Sequence, residues 1–219
     1  MAKDKISSKK VSVNHAHQDE KIEKVKRVAA ATLNIIWQNG IRYLSPTRVA
    51  RSAKVSRPWI YKYIGGSKEA LMASAVDYFG RLFSRIDQST EAKGVEGWMN
   101  DEMRDLQKNF ALSKECPWIL PLYYHFKGSQ NVIGRGIEKI EAEYLDRKAV
   151  QLRKVIGVSP ATSRLVAELM ATYKLATVHR WQTGELQKLM SQEELTQRLR
   201  LLLEFVANLG HSKSNVGNS

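Results

Sequence analysis

Thirteen residues from Ser56 to Lys68 concentrate the side chains most able to do chemistry: Arg57, Trp59, Tyr61, Lys62, Tyr63 and Lys68. Cations interleaved with aromatic rings suit a polyanion better than a reacting substrate. Other chemistries fare worse. Cys116 and His125 lie nine residues apart, and a third group to orient them is not evident, so an inert thiol is expected. His15-x-His17 lacks further ligands for a metal. A Gly-rich phosphate loop is absent. The chain therefore reads as a non-enzyme with no metal and no cofactor.

Charge supports the polyanion reading. The formal net charge is +13, and residues 1–70 hold 15 Lys/Arg against 5 Asp/Glu, a net +10. A strongly basic first third on a nearly balanced remainder fits nucleic acid as partner. A single cysteine excludes an intrachain disulfide and suits a reducing compartment. No apolar run reaches 18 residues, and the polar, lysine-containing start has no secretory pattern. A cytoplasmic location without membrane contact is expected.

The elements that must position these residues are helical. Ile22, Val25, Ala29, Leu33 and Ile36 recur at helical spacing from about Lys21 to Gln38, and Asn39-Gly40 ends that helix. Ser45-Pro46 opens a short helix ending near Ala53, with a turn at Lys54-Val55. Ser56 caps another from Arg57 to about Ile64, and Gly65-Gly66 breaks it. Ser67 caps a helix running towards Ile86. Further helices are expected over Trp98–Leu112, an aromatic segment from Pro117 to Phe126, and Val132–Ile156. Ser159-Pro160 starts one reaching Thr183, and the Ser191-x-x-Glu194 capping box opens the last, ending at Leu209-Gly210. Strand patterning is absent. The expected fold class is all-α, about nine helices, with an N-terminal three-helix helix-turn-helix domain and a larger C-terminal helical bundle. Residues 1–18 read as a disordered basic tail, 19–66 as the DNA-binding domain, 67–210 as the body and 211–219 as a second disordered tail.

Two short capped helices around a tight turn match a helix-turn-helix unit. Val49, Ala50, Ala53 and Val55 suit its inner seam, while Arg57, Trp59 and Lys62 can project outward. This stretch resembles the N-terminal domain of the TetR family of bacterial regulators. Val49-Ala50, Ala53, Val55-Ser56, Ile60-Tyr61, Tyr63 and Ser67-Lys68-Glu69-Ala70-Leu71 match its motif at successive positions, about a quarter of the chain. The departures are Lys54 in place of a turn glycine, Trp59 for a small residue, Ile64 for phenylalanine, and a longer Gly65-Gly66 break.

The resemblance implies a homodimeric transcriptional regulator, a repressor by preference, binding palindromic double-stranded DNA in the bacterial nucleoid. Its DNA-contacting set would be Ser45, Ser56, Arg57, Pro58, Trp59, Tyr61, Lys62, Tyr63 and Lys68. Ser45, Tyr61, Tyr63 and Lys68 would meet phosphates. Arg57, Pro58, Trp59 and Lys62 would face the major groove, Arg57 towards guanine and apolar atoms towards a thymine methyl. Arg48 and Arg51 read instead as a solvated face, and the lysines of the tail as solubilising.

The resemblance also implies a small apolar effector in the body and dimerisation through the last two helices, about 160–183 and 191–209. The last helix carries a wide apolar arc of Leu195, Leu199, Leu202, Leu203, Val206 and Leu209. Trp98, Met103, Trp118, Tyr123, Tyr124, Phe126, His179 and Trp181 would line the effector cavity, although each such residue is more often simple core. Two further readings stand beside this one: an architectural DNA-binding protein without an effector, and a helical scaffold whose basic head meets acidic partners.

Overall fold

The structure, a computed structural model, describes the backbone of residues 3–84 and 94–211 and the side chains of residues 18–82, 84 and 94–208. Among the described residues there are nine α-helices and no strand, so the all-α class holds. They are α1 (Lys3–Asn39), α2 (Pro46–Ala53), α3 (Arg57–Tyr63), α4 (Lys68–Ser84), α5 (Gly94–Glu115), α6 (Ile119–Phe126), α7 (Val132–Ile156), α8 (Pro160–Gln182) and α9 (Gln192–His211). A 3-10 turn, Ile41–Tyr43, precedes α2.

The helix starts follow local chemistry. Ser45, Ser56 and Ser67 each accept a hydrogen bond from the backbone N–H three residues on, at 3.3, 3.3 and 3.0 Å. Each hydroxyl thereby satisfies a donor that an open helix end would leave orphaned. The capping box closes as its spacing predicts. Ser191 N–H donates to Glu194 Oε2 at 2.6 Å, and Glu194 N–H donates to Ser191 Oγ at 3.1 Å.

Several boundaries differ from expectation. α1 begins at Lys3, so helical backbone replaces the expected tail up to residue 18. The side chains before residue 18 lie outside the described ones, and with them His15 and His17. α5 starts earlier than Trp98 because Val95 joins the apolar face ahead of it. The aromatic segment closes into α6, with Leu120, Leu122 and Phe126 buried. α9 runs on to His211, and the remainder of the expected C-terminal tail lies outside the described residues.

The chain forms two compact units that meet at Phe79–Gly80. The division falls within α4, whereas the Gly65-Gly66 break had suggested residues 66–67. In the head, α2 packs on α1 and on α3. Its core holds Val28, Leu33, Ile36, Leu44, Val49, Ala53, Ile60, Leu71 and Phe79. Ile22, expected on the inner stripe, is exposed. In the body, α8 packs on α7 and α5, and α9 on α5, around Trp98, Leu106, Leu152, Val166, Met170, Leu199 and Leu203.

Candidate nucleic-acid interface

The inner seam forms as the spacing predicts: Val49, Ala50 and Ala53 are buried and Val55 is half-buried. Lys54 closes α2 in the left-handed region, at φ 53° and ψ 47°. Among the described residues it is the sole non-glycine with positive φ. The turn therefore keeps its shape without the glycine that would adopt it freely.

Ile60 is the buried anchor of α3, and the rest of this short helix faces outward. Arg57, Pro58, Tyr61, Lys62 and Tyr63 are exposed, and Trp59 is half-buried. Core packing is thus excluded for Tyr61 and Tyr63, which are 50% and 41% exposed. Helical spacing links these groups in two pairs. Arg57 sits over the Tyr61 ring at 5.9 Å, and the Trp59 and Tyr63 rings lie 5.0 Å apart. Lys62 and Lys21 both approach the Tyr63 ring, at 5.1 and 5.0 Å. Gly66 lies so close to the Tyr61 ring that a Cβ there would collide with it, so the glycine fixes where the ring rests.

Ser45 and Ser56 use their oxygens as caps and retain a hydroxyl hydrogen for an outside acceptor. Lys68 is partly committed, because its ammonium donates to Arg42 O at 3.0 Å. Two further donor hydrogens remain on it.

Electrostatically the head is one-sided. No Asp or Glu occurs between Glu23 and Glu69. Lys24, at the start of that stretch, pairs with Glu20 at 2.7 Å, while Arg42 and Arg48 within it lie over Tyr43 at 4.8 and 5.2 Å. In the body, cations instead meet carboxylates, as in Lys127–Glu141 at 2.6 Å and Arg200–Glu204 at 3.1 Å. Partnering by rings leaves the positive charge uncompensated, as a surface for a polyanion requires.

The eight residues expected around an effector belong to α5, to α6 with the residue before it, and to α8. Tyr124 and His179 face each other at 4.9 Å, linking α6 to α8, and Trp181 meets Phe110 of α5 at 5.7 Å. Tyr123 donates to Glu141 at 3.2 Å and accepts from Lys127 at 2.9 Å. Burial pushes its hydroxyl above the usual tyrosine range. Trp118 and Phe126 are buried nearby in sequence, and Met103 packs at the edge of the core. Trp98 is fully buried among core residues, with no acceptor for its indole N–H. His179 Nδ1 likewise has no partner.

The sequence reading missed a charged group inside the body. Glu102, Lys148 and Lys174 are buried together, and Asp105 approaches Lys148 at 3.5 Å. Their signal was present as charged residues on apolar helix faces, Glu102 between Trp98 and Leu106 for example. It missed Leu201 and Phe205 too, which stand 66% and 65% exposed on α9 while Leu195, Leu199, Leu203 and Val206 fill the core. Among the described residues no group of His, Cys, Asp and Glu is arranged to hold a metal, and no helix is long and apolar enough to cross a membrane.

No family model and no curated protein matches the sequence. The fold, however, is shared with many solved structures. A Rhodococcus sp. protein assigned to the TetR family of transcriptional regulators superposes with TM-score 0.62 at 17% identity, over 84% of this chain and 99% of that one. The fatty acid degradation regulator FadR from Bacillus halodurans gives 0.59 at 15%, over 81% and 96%. The transcriptional regulator FadR from Bacillus subtilis, in complex with stearoyl-CoA, gives 0.58 at 18%, over 81% and 96%. At these identities the likeness establishes the fold, which is that of TetR-family regulators.

Proposed function

We propose that this chain is a sequence-specific DNA-binding regulator of transcription, not an enzyme, acting as a homodimer on a palindromic operator and repressing by preference. The carrying observation is the outward set on α3, Arg57, Pro58, Trp59, Tyr61 and Lys62, raised on a buried Ile60 within a stretch, Lys24 to Lys68, that holds no Asp or Glu. In this reading Arg57 meets guanine O6 and N7, and Pro58 and Trp59 meet a thymine methyl. Ser45, Ser56, Tyr61, Tyr63 and the remaining Lys68 hydrogens serve phosphates. Two heads joined by a dimer read two half-sites, where one seven-residue helix alone would bind weakly. The protein would then act in the cytoplasm, on the nucleoid.

The body is the effector domain in this reading. The likeness to a FadR structure holding stearoyl-CoA supports an apolar, acyl-type effector. Tyr124 and His179, with the unpartnered His179 Nδ1, form the pair best suited to it. Effector binding would favour a spacing of the two heads that no longer fits both half-sites.

Selection of bound sequences from random duplexes tests the first part. A palindromic consensus is expected, and failure to retain any duplex in dilute salt would remove the proposal. Thermal denaturation with and without long-chain acyl-CoA tests the second, since a ligand that binds the native state raises the midpoint.

A further inference from the structure

Immediately before α2, two guanidinium groups converge on one exposed ring. Arg42 lies 4.8 Å and Arg48 5.2 Å from the centre of Tyr43, which is 40% exposed. Among the described residues neither arginine meets a carboxylate: Arg48 donates to Tyr43 O at 3.5 Å, and the Arg42 side chain has the ring. Bringing two like charges to one ring is unfavourable unless water, the ring face or an anion offsets the repulsion. The mount is nevertheless firm. Leu44 is buried beside it, Tyr43 N–H donates to Gly40 O at 3.1 Å, and Lys68 donates to Arg42 O at 3.0 Å.

We propose that Arg42, Tyr43 and Arg48 form a clamp for duplex phosphodiesters, gripping the backbone beside the base pairs read by α3 without reading sequence. The inference rests on the DNA-binding reading above and adds to it a site on the 3-10 turn. Guanidinium forks match the paired oxygens of a phosphate, and two such forks held on a fixed ring lose little freedom on binding it. Ser45, whose hydroxyl accepts from Arg48 N–H and keeps a hydrogen to donate, lies between the two arginines in sequence. Tyr43 is a positioning residue here: its ring holds both cations.

The test is the salt dependence of duplex binding by the full-length protein and by Arg42→Gln/Arg48→Gln, on a selected sequence and on a random duplex. Each lost phosphate contact should flatten the plot of log K against log salt by roughly 0.9, so two should flatten it by roughly 1.8 per head. The loss should be equal on both duplexes, and millimolar inorganic phosphate should not restore or mimic it. Tyr43→Leu should give an intermediate slope. An unchanged slope overturns the clamp, as does a loss confined to the selected sequence, which would mean base reading, or competition by free phosphate, which would mean a small-anion site. If the parent protein itself ignores every duplex in dilute salt, the DNA-binding reading fails first, and that result is distinct from a parent that binds and a variant that binds equally. Should the double variant melt early, Arg48→Gln alone carries the same measurement at half the amplitude.

Discussion

The Lys174 ammonium of α8 donates to Glu102 Oε2 of α5 at 2.6 Å, inside the helical body. Lys148 of α7 takes the other oxygen, so one carboxylate ties three helices. Tyr144 lies over both ammonium groups, at 5.7 and 5.5 Å. An interior of this kind is bound by paired charge as well as by apolar contact. Such pairs need not raise net stability over a well-packed apolar set, but removing one member leaves an uncompensated buried ion.

Glu102→Gln should therefore destabilise the protein by about 3–5 kcal/mol, because the buried Lys174 ammonium loses its paired carboxylate and Lys148 keeps only the longer contact to Asp105. Replacing Glu102, Lys148 and Lys174 together by methionine should cost less than the single change. Urea denaturation of the three proteins measures both. A single variant as stable as the parent would contradict this account of the group.

The same carboxylate sets the acid limit. Burial by itself would raise its pKa, but Lys174 and Lys148 outweigh it and hold Glu102 at about 2, against an ordinary 4.5. A depressed folded pKa contributes stability that is complete above about 4.5 and is lost as pH falls from there towards 2, in total about 3 kcal/mol. Lys174 is shifted upward, burial opposing and Glu102 dominating, so its contribution is complete below its ordinary 10.5 and lost only in stronger alkali. Unfolding free energy measured across pH should show an acid limb that Glu102→Gln removes.

The head was legible in the sequence because its signals are local. Ser45, Ser56 and Ser67 sit three residues from the N–H groups they cap, and Ile60 is the apolar residue among polar ones on α3. The charged group of the body joins residues 46 and 72 positions apart, and no local spacing announces such a pairing. Phe205 failed to declare itself for a related reason. Which side of the apolar arc of α9 turns inward depends on where α5 packs, and α5 takes Leu195, Leu199 and Leu203.

Lys54→Gly should stabilise the head. An L-residue in the left-handed region costs roughly 1–2 kcal/mol, and the larger freedom of unfolded glycine returns part of it. The net expectation is about 0.5–1 kcal/mol, read as a higher urea midpoint, with duplex affinity preserved. A lower midpoint would show that the Lys54 side chain supports the turn.

Arg57→Ala should weaken binding to a selected duplex by roughly 1–3 kcal/mol and relax preference at one position of the consensus. Its side chain is exposed and lies over the Tyr61 ring, so stability should change by no more than about 0.5 kcal/mol. Repeating the selection with the variant checks the preference. An unchanged consensus would place base reading elsewhere on the head.

The proposed dimer is testable through side chains that the single chain leaves in water. Leu165 and Leu169 are spaced one turn apart on α8 and are 57% and 59% exposed, and Leu201 and Phe205 repeat that spacing on α9. Large apolar pairs of this kind are covered in most stable proteins, and burial of each is worth roughly 1.5–3 kcal/mol. Leu169→Glu/Phe205→Glu should place four carboxylates in a two-fold interface and convert a dimer into a 24.9 kDa monomer by sedimentation, with helical content intact. Affinity for a palindromic duplex should fall steeply while the weak affinity for a half-site persists. A parent protein that already sediments as a monomer, or a variant that stays dimeric, would move the interface off α8 and α9.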